Sequence, residues 1–258
     1  MQRPVARHNA DVDDCMPDGP IAVCTFEMPA GLVFDWHTHE EHQLAWAQSG
    51  VLTVRTADAA WVLPPSRALW IPAGTRHETL SEGTATMRSG YLRPEACAVA
   101  WTECTPVHAT PLLVELVGYL EDLTRPEDAR DRAMAMLLDV LEPAPSVPVD
   151  VRMPAEERAR RVAEALAIAP ADDRTLEAWG HEVGASSRTL SRAFLSETGL
   201  TFGRWRSLLR VRAAMVALAG GAPVGNVAML VGFESPSAFV AAFRRETGLT
   251  PAAFARGA

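Results

Sequence analysis

The spacing of apolar residues changes part-way along the chain, and the change divides the sequence. Up to about residue 105 they come in short runs punctuated by Gly and Pro, at 21–26, 43–47, 51–54, 59–63 and 68–71. Short apolar runs bounded by turn residues predict strands of an all-β sandwich or barrel. From residue 111 the apolar spacing lengthens to three and four. Leu112, Leu113, Leu116, Val117 and Leu120 make one helical stripe, and Met134, Leu137, Leu138 and Leu141 continue it after Thr124-Arg125-Pro126. The Pro-rich stretch that follows reads as a stiff linker over 143–154. Helical spacing then resumes from Arg158 and holds to the end.

Within that last region the pattern repeats. Glu-Thr-Gly-Leu-Thr occurs at 197–201 and again at 246–250, a separation of 49 residues, and the likeness extends outward from both copies. Each copy predicts two short helices joined by a Gly-centred turn. In the first, Leu176, Trp179 and Val183 share a face, Gly184 ends that helix, Ser186 caps the next, and Leu190 with Phe194 points inward until Gly199. In the second, Ser235 is the cap, Pro236 sits at the first helical position, Phe239 and Phe243 point inward, and Gly248 stops the helix. Between the copies Phe202–Ala219 reads as one long helix ended by Gly220-Gly221. A duplicated helix-turn-helix pair is a structural unit used twice.

Charge follows the same division. The chain has no Lys; all 24 basic residues are Arg, and the formal net charge is −8. From Arg174 onward ten Arg face five acids, so this end carries +5 and the remainder −13. A basic end on an acidic protein suggests a nucleic-acid-facing region.

The paired units, with Gly-Phe-Glu-Ser at 232–235 and Phe-Arg-Arg-Glu-Thr-Gly-Leu-Thr-Pro at 243–251, resemble the DNA-binding domain of the AraC/XylS transcription regulators over residues 155–258. In a helix-turn-helix the second helix enters the major groove. The positions facing outward near the start of that helix are Ser187, Arg188, Ser191 and Arg192. Either Arg can pair bidentately with guanine, and the resemblance implies base contacts at Arg188, Ser191 and Arg192. The second unit departs from the family pattern. Pro236, Ser237, Val240 and Ala241 occupy the matching places, where Val240 and Ala241 can touch thymine methyls but form no side-chain hydrogen bond to a base. The second unit is therefore expected chiefly to position the protein, with Ser235, Ser237, Arg244 and Arg245 meeting phosphates.

At the front, His37-Thr38-His39, then Gln43, then His77 five residues after Pro72 resemble the two signature motifs of the cupin barrel. The resemblance implies a metal held by His37, His39, Gln43 in the place of a Glu, and His77. Along one strand, residues 37, 39, 41 and 43 share a face while His42 points away. Converging imidazoles suit one divalent transition ion such as Zn, Fe, Ni or Cu. The neutral amide of Gln43 removes one negative charge from such a site. Trp36, Trp46 and Trp70 cluster about the same segments and are candidates for an aromatic effector pocket, although Trp at this density more often builds core.

The expected architecture is thus a multidomain α and β protein. It has a cupin-like sensor barrel over 1–105, a helical packing or dimerisation region over 106–142, the linker, and an all-α double helix-turn-helix domain over 155–258. The expected function is a sequence-specific regulator that binds an operator in double-stranded DNA and responds to a metal or small-molecule effector. The family implies a homodimer that engages RNA polymerase if it activates. Cupins with three histidines also include dioxygenases and isomerases, so a metal-dependent cupin enzyme with a DNA-tethering domain is the alternative. A non-sensing architectural DNA binder is a third reading. Catalytic residues outside the histidine cluster are not indicated, for GxSxG, Walker, GxGxxG and HExxH motifs are absent. The four cysteines (Cys15, Cys24, Cys97, Cys104) show no CxxC spacing and no signal peptide precedes them, which predicts reduced thiols in the cytoplasm. No apolar run approaches the ~20 residues that span a membrane.

Overall fold

The short apolar runs fold as strands, and more of them than the runs announce. The structure, a computed structural model, describes residues 19–57, 59–81, 83–144 and 151–256. The chain forms two compact units that divide at Val147. In the first, β1 (Ile21–Met28), β8 (Ala85–Leu92), β3 (His42–Ser49), β6 (Arg67–Ile71) and β9 (Thr105–His108) lie in that order in one sheet. A second sheet has the order β2 (Val33–His37), β7 (His77–Ser81), β4 (Leu52–Arg55), β5 (Ala60–Leu63). Neighbouring strands are antiparallel throughout.

The sheets enclose an apolar interior that includes Phe34, Ala45, Leu52, Trp61, Leu69 and Met87. The outer face of the five-stranded sheet is covered too, by α1 (Pro111–Glu121) and α2 (Glu127–Asp139). Leu113, Val117, Leu120, Met134 and Leu137 pack there on Leu44, Trp46, Trp70 and Val107. The helical stripes read from sequence thus cover the chain's own sheet, while Leu112 stays 50% exposed. Thr110 caps α1 by accepting the Leu113 N–H, and Pro111 starts it.

Three boundaries differ from expectation. The β-structure runs past residue 105, because β9 pairs with β6 at the sheet edge. Pro143 and Ala144 are not linker: Pro143 bridges Val107, and Ala144 N–H donates to the Pro106 carbonyl at 2.8 Å. The rest of the proposed linker is split: 145–150 lie outside the described residues, whereas Val151 and Pro154 are buried in the second unit. Reduced thiols hold for Cys97 and Cys104, but Cys24 is disulfide-bonded, and Cys15 lies outside the described residues.

The second unit is helical: α3 (Glu157–Ile168), α4 (Leu176–Val183), α5 (Ser187–Thr198), α6 (Phe202–Ala219), α7 (Val224–Leu230), α8 (Pro236–Thr247) and α9 (Pro251–Arg256). Side-chain caps explain the starts. Ser186 accepts from Thr189 N–H and Ser235 from Ala238 N–H. Gly199 and Gly248 end α5 and α8 with φ of 72° and 75°, a left-handed backbone that disfavours any residue with a Cβ. Phe194 and Trp205 pack at 5.0 Å in one half, Phe239 and Phe243 at 5.6 Å in the other. The long helix α6 runs between the units of the repeat, as its spacing predicts.

The turn of the first unit depends on a close approach. A Cβ at Gly180 would meet the Ala185 carbonyl oxygen at 2.4 Å. Gly180→Ala is therefore expected to lower stability by about 1–3 kcal/mol. Gly203, near the start of α6 with open space around it, should tolerate Ala and gain up to ~1 kcal/mol. Urea unfolding midpoints of the two variants check both signs.

Candidate functional site

The histidines come together by a route different from a single strand. His37 ends β2 and pairs in register with His77, which opens β7. His39 lies in the crossing from β2 in one sheet to β3 in the other, and Gln43 sits on β3. The chain changes sheets between 37 and 42, so 37, 39 and 43 cannot share one strand. The turn instead folds His39 back onto the His37–His77 pair. Ring centroids are 4.4 Å apart for His37 and His77, 5.2 Å for His39 and His77, and 6.0 Å for His37 and His39. His42 points away, packed on Trp70 at 5.0 Å, with its Nδ1 accepting the Ala73 N–H.

Each of the three rings is oriented in the same way. Nδ1 of His37, His39 and His77 contacts the backbone carbonyls of Asp35, Glu41 and Thr75 at 2.6, 2.7 and 2.9 Å. A carbonyl only accepts, so each Nδ1 carries the proton, and in the neutral ring Nε2 keeps its lone pair. One ligand atom from each ring lies within 4.8 Å of the other two. His77 Nε2 is buried without a hydrogen-bond partner. Burial of His77, with the neighbouring His37 and His39, pushes its pKa down to about 3 against the pull of the Thr75 carbonyl. His77 therefore stays neutral at ordinary pH, the form that coordinates metal.

Gln43 is held from the far side. Its Nε2 donates to Ser89 Oγ at 2.8 Å and to Tyr91 OH at 3.4 Å, which turns Oε1 toward His39 Nε2 at 3.2 Å. With His39 protonated on Nδ1, an acceptor oxygen there faces an acceptor nitrogen. That contact is unfavourable as it stands and favourable with a cation between them. Burial raises the Tyr91 hydroxyl pKa well above its usual value, so the phenol stays neutral. Sequence reasoning missed Ser89 and Tyr91. Their alternation along β8 was a signal, but their pairing with Gln43 spans 46 and 48 residues.

The three candidate pocket tryptophans are not brought together. Trp46 and Trp70 are buried on the outer face of the five-stranded sheet, beneath the helices. Trp36, 36% exposed, carries the Arg76 guanidinium over its ring at 5.5 Å. Trp46 and Trp70 are core, so they line no pocket shared with the histidines.

In the helical unit Ser187, Arg188, Ser191 and Arg192 are all exposed on α5, with Leu190, Ala193 and Phe194 buried beneath. On α8 Ser237, Val240, Ala241 and Arg244 form the matching outer stripe. Other charges counted from sequence serve the fold. Arg210 is buried and donates to the Pro170 and Asp172 carbonyls; Arg174 pairs with Asp172 and Glu182. Glu246 is buried between Arg204 and Arg245 at 3.1 and 2.7 Å, so Arg245 is partly neutralised. Ser235 spends its hydroxyl oxygen on the Ala238 N–H, and Pro236 has no N–H, which leaves little of this helix start for phosphate.

Two family descriptions match: an AraC-like ligand binding domain over residues 20–166 and a helix-turn-helix domain over 179–257. The chain belongs to the AraC family of transcription regulators. Among AraC-type relatives, the HTH-type transcriptional regulator NimR of Escherichia coli K12 is 30% identical over 95% of this chain and 92% of its own length. The activator RhaR of Klebsiella pneumoniae is 25% identical over 93% of each chain. RipA of Corynebacterium glutamicum is 45% identical, over 41% of this chain and 32% of its own. Among solved structures ToxT from Vibrio cholerae O395 covers 92% of this chain and 98% of its own, with 10% identity and a TM-score of 0.39. An AraC-family chain with both domains is a DNA-binding regulator with a ligand-binding N-terminal domain.

The Gln43 network generates a stability prediction. Ser89→Ala leaves a buried amide N–H with one weak acceptor, which costs about 1–3 kcal/mol. Thr79→Ala, buried in the other sheet but outside the network, serves as the comparison. Equal stability of Ser89→Ala and wild type in thermal unfolding would contradict the assignment.

Proposed function

We propose that this regulator binds a divalent transition metal at His37, His39, Gln43 and His77, and that occupancy changes its action at DNA. The observation that carries the reading is the common orientation of the three imidazoles: each Nδ1 is tied to a backbone carbonyl, which leaves the lone pair of each neutral ring on Nε2. This is the outer-shell arrangement that metal-bound histidines adopt. The orphaned Nε2 of His77 and the acceptor–acceptor contact of Gln43 with His39 also fit a cation. Bonds of about 2.1 Å would draw the nitrogens to ~3.4 Å of one another, a modest ring movement from their present spacing. The ion supplies positive charge and a preferred geometry; the chain supplies ligands whose protonation is already fixed. Relatives that are regulators favour a sensor over a catalyst, and a cytoplasmic location is part of this reading.

A ligand shifts an equilibrium only by its differential affinity for two states. Pairing of two chains through α1 and α2 is part of this reading, since Leu112 and Met136 remain half-exposed there. At DNA, Arg188 and Arg192 are read as base-contacting residues of the first unit. Both are exposed and carry no ion pair among the described residues. Arg244 is read as a phosphate contact.

Two experiments test these assignments. Purified full-length protein dialysed against Zn, Ni, Cu or Fe should retain about one ion per chain, and His39→Ala should retain none. Gln43→Glu should bind about tenfold tighter, because a carboxylate adds charge beside the cation. No retained ion in the wild type would remove the metal reading and leave the DNA-binding one intact. For DNA, Arg192→Ala should weaken specific duplexes by about 1–3 kcal/mol while sparing random sequence. Arg244→Ala should weaken both alike and lower the salt slope by about one. Uniform weakening by Arg192→Ala in titrations would overturn its role in base recognition.

A further inference from the structure

Helix α8 has an outer face more apolar than that of α5, its counterpart in the repeat. Where α5 presents Ser191 and Arg192, α8 presents Val240 and Ala241, 49 residues on in the repeat. Both are exposed, Val240 at 38%, while Phe239, Ala242 and Phe243 fill the core side. Together with Pro236, Ser237, Arg244 and Arg245 they line an open groove along the helix. An apolar face bounded by hydroxyl on one side and guanidinium on the other is complementary to a DNA groove floor bearing an apolar group between two phosphate backbones. The major groove has one such group, the 5-methyl of thymine. Small residues at 240 and 241 also let the helix axis approach the bases more closely than a long side chain permits.

We infer that the second unit reads sequence by thymine methyls, with Val240 and Ala241 in contact with them and Arg244, one turn on, fixing the backbone. This rests on the DNA-binding role of the family and goes past a merely positioning second unit. Arg188 and Arg192 then read hydrogen-bonding edges in one half of the operator, while Val240 and Ala241 read methyl groups in the other.

The test uses the full chain and duplexes enriched by it from a random pool. The half-site read by the first unit is the one whose preference relaxes in Arg192→Ala. In the other half each thymine is replaced by deoxyuridine, which preserves base pairing and removes only the methyl. Wild-type affinity is expected to fall about fourfold per contacted methyl, which is ~0.8 kcal/mol. Val240→Ser, an exposed substitution, should narrow the gap between thymine and deoxyuridine duplexes by the share of the methyl that Val240 contacts, about fourfold, leaving that of Ala241, and Arg244→Ala should weaken both without closing the gap. The proposal is overturned if wild type binds the two duplexes equally, or if Val240→Ser keeps the full wild-type discrimination. Failure to enrich any sequence would instead remove the sequence-specific reading of the whole protein, and this proposal with it.

Discussion

The five-stranded sheet is buried on both faces, and the rest of the N-terminal unit follows from that constraint. Successive residues of a strand point to opposite sides, so β3 sends Gln43, Ala45 and Ala47 into the space between the sheets and His42, Leu44 and Trp46 under the helices. Its interior face therefore has room for a polar cluster only where small or hydrogen-bonding residues stand. Gln43, Ser89 and Tyr91 are the residues that do, and the histidines gather against them. The same constraint keeps Trp46 and Trp70 away from the cluster, however close they lie in sequence.

Strand β8 joins the two faces. Ser89 and Tyr91 hold the Gln43 amide on the inside. Between Met87 and Ser89, Arg88 points outward and pairs with Glu121 at the end of α1 at 3.2 Å; Glu121 also accepts from Thr25 on β1 at 2.6 Å. Any adjustment of Gln43 that displaces β8 along its length moves Arg88 with it. A cation between Gln43 and His39 would strengthen a contact that is otherwise repulsive, so the sheet and its covering helix are mechanically tied to the atoms most sensitive to occupancy.

What the sequence made legible divides along physical lines. The helical unit was readable almost to the residue, since caps, stops and the 3.6 period are local. The connecting helix Phe202–Ala219 is bounded as its pattern predicts. The strands were half-legible. A strand buried on both faces shows a continuous apolar run rather than alternation, so the runs located β3 and β6 without telling which way each Trp faced. Strands β2 and β7, short and polar at their ends, gave no run at all, although they carry His37 and His77. Motif spacing found the histidines, but the change of sheet that assembles them and the partners on β8 are long-range facts. Charge counting overstated the basic surface, because it cannot distinguish Arg188 on an open face from Arg210 inside the fold.

The repeat and the cluster share one lesson about where selection acts on chemistry. In the repeat, residues that make the turn are kept, while the residues facing outward differ: Arg192 in one copy, Ala241 in the other. In the cluster, the three imidazoles have fixed tautomers, while the fourth position carries a neutral amide. A carboxylate there would offset one charge of a divalent ion and hold it more firmly. An amide keeps the ion's full charge in a largely buried site, at a higher cost in desolvation. Stabilisation by a ligand grows with its concentration relative to its dissociation constant, so weaker binding moves the responsive range to higher free metal. On the proposed reading, Gln43 is then the residue that makes the site reversible. A site saturated at all times reports nothing, and one that empties and fills within the working range of its ligand can act as a sensor.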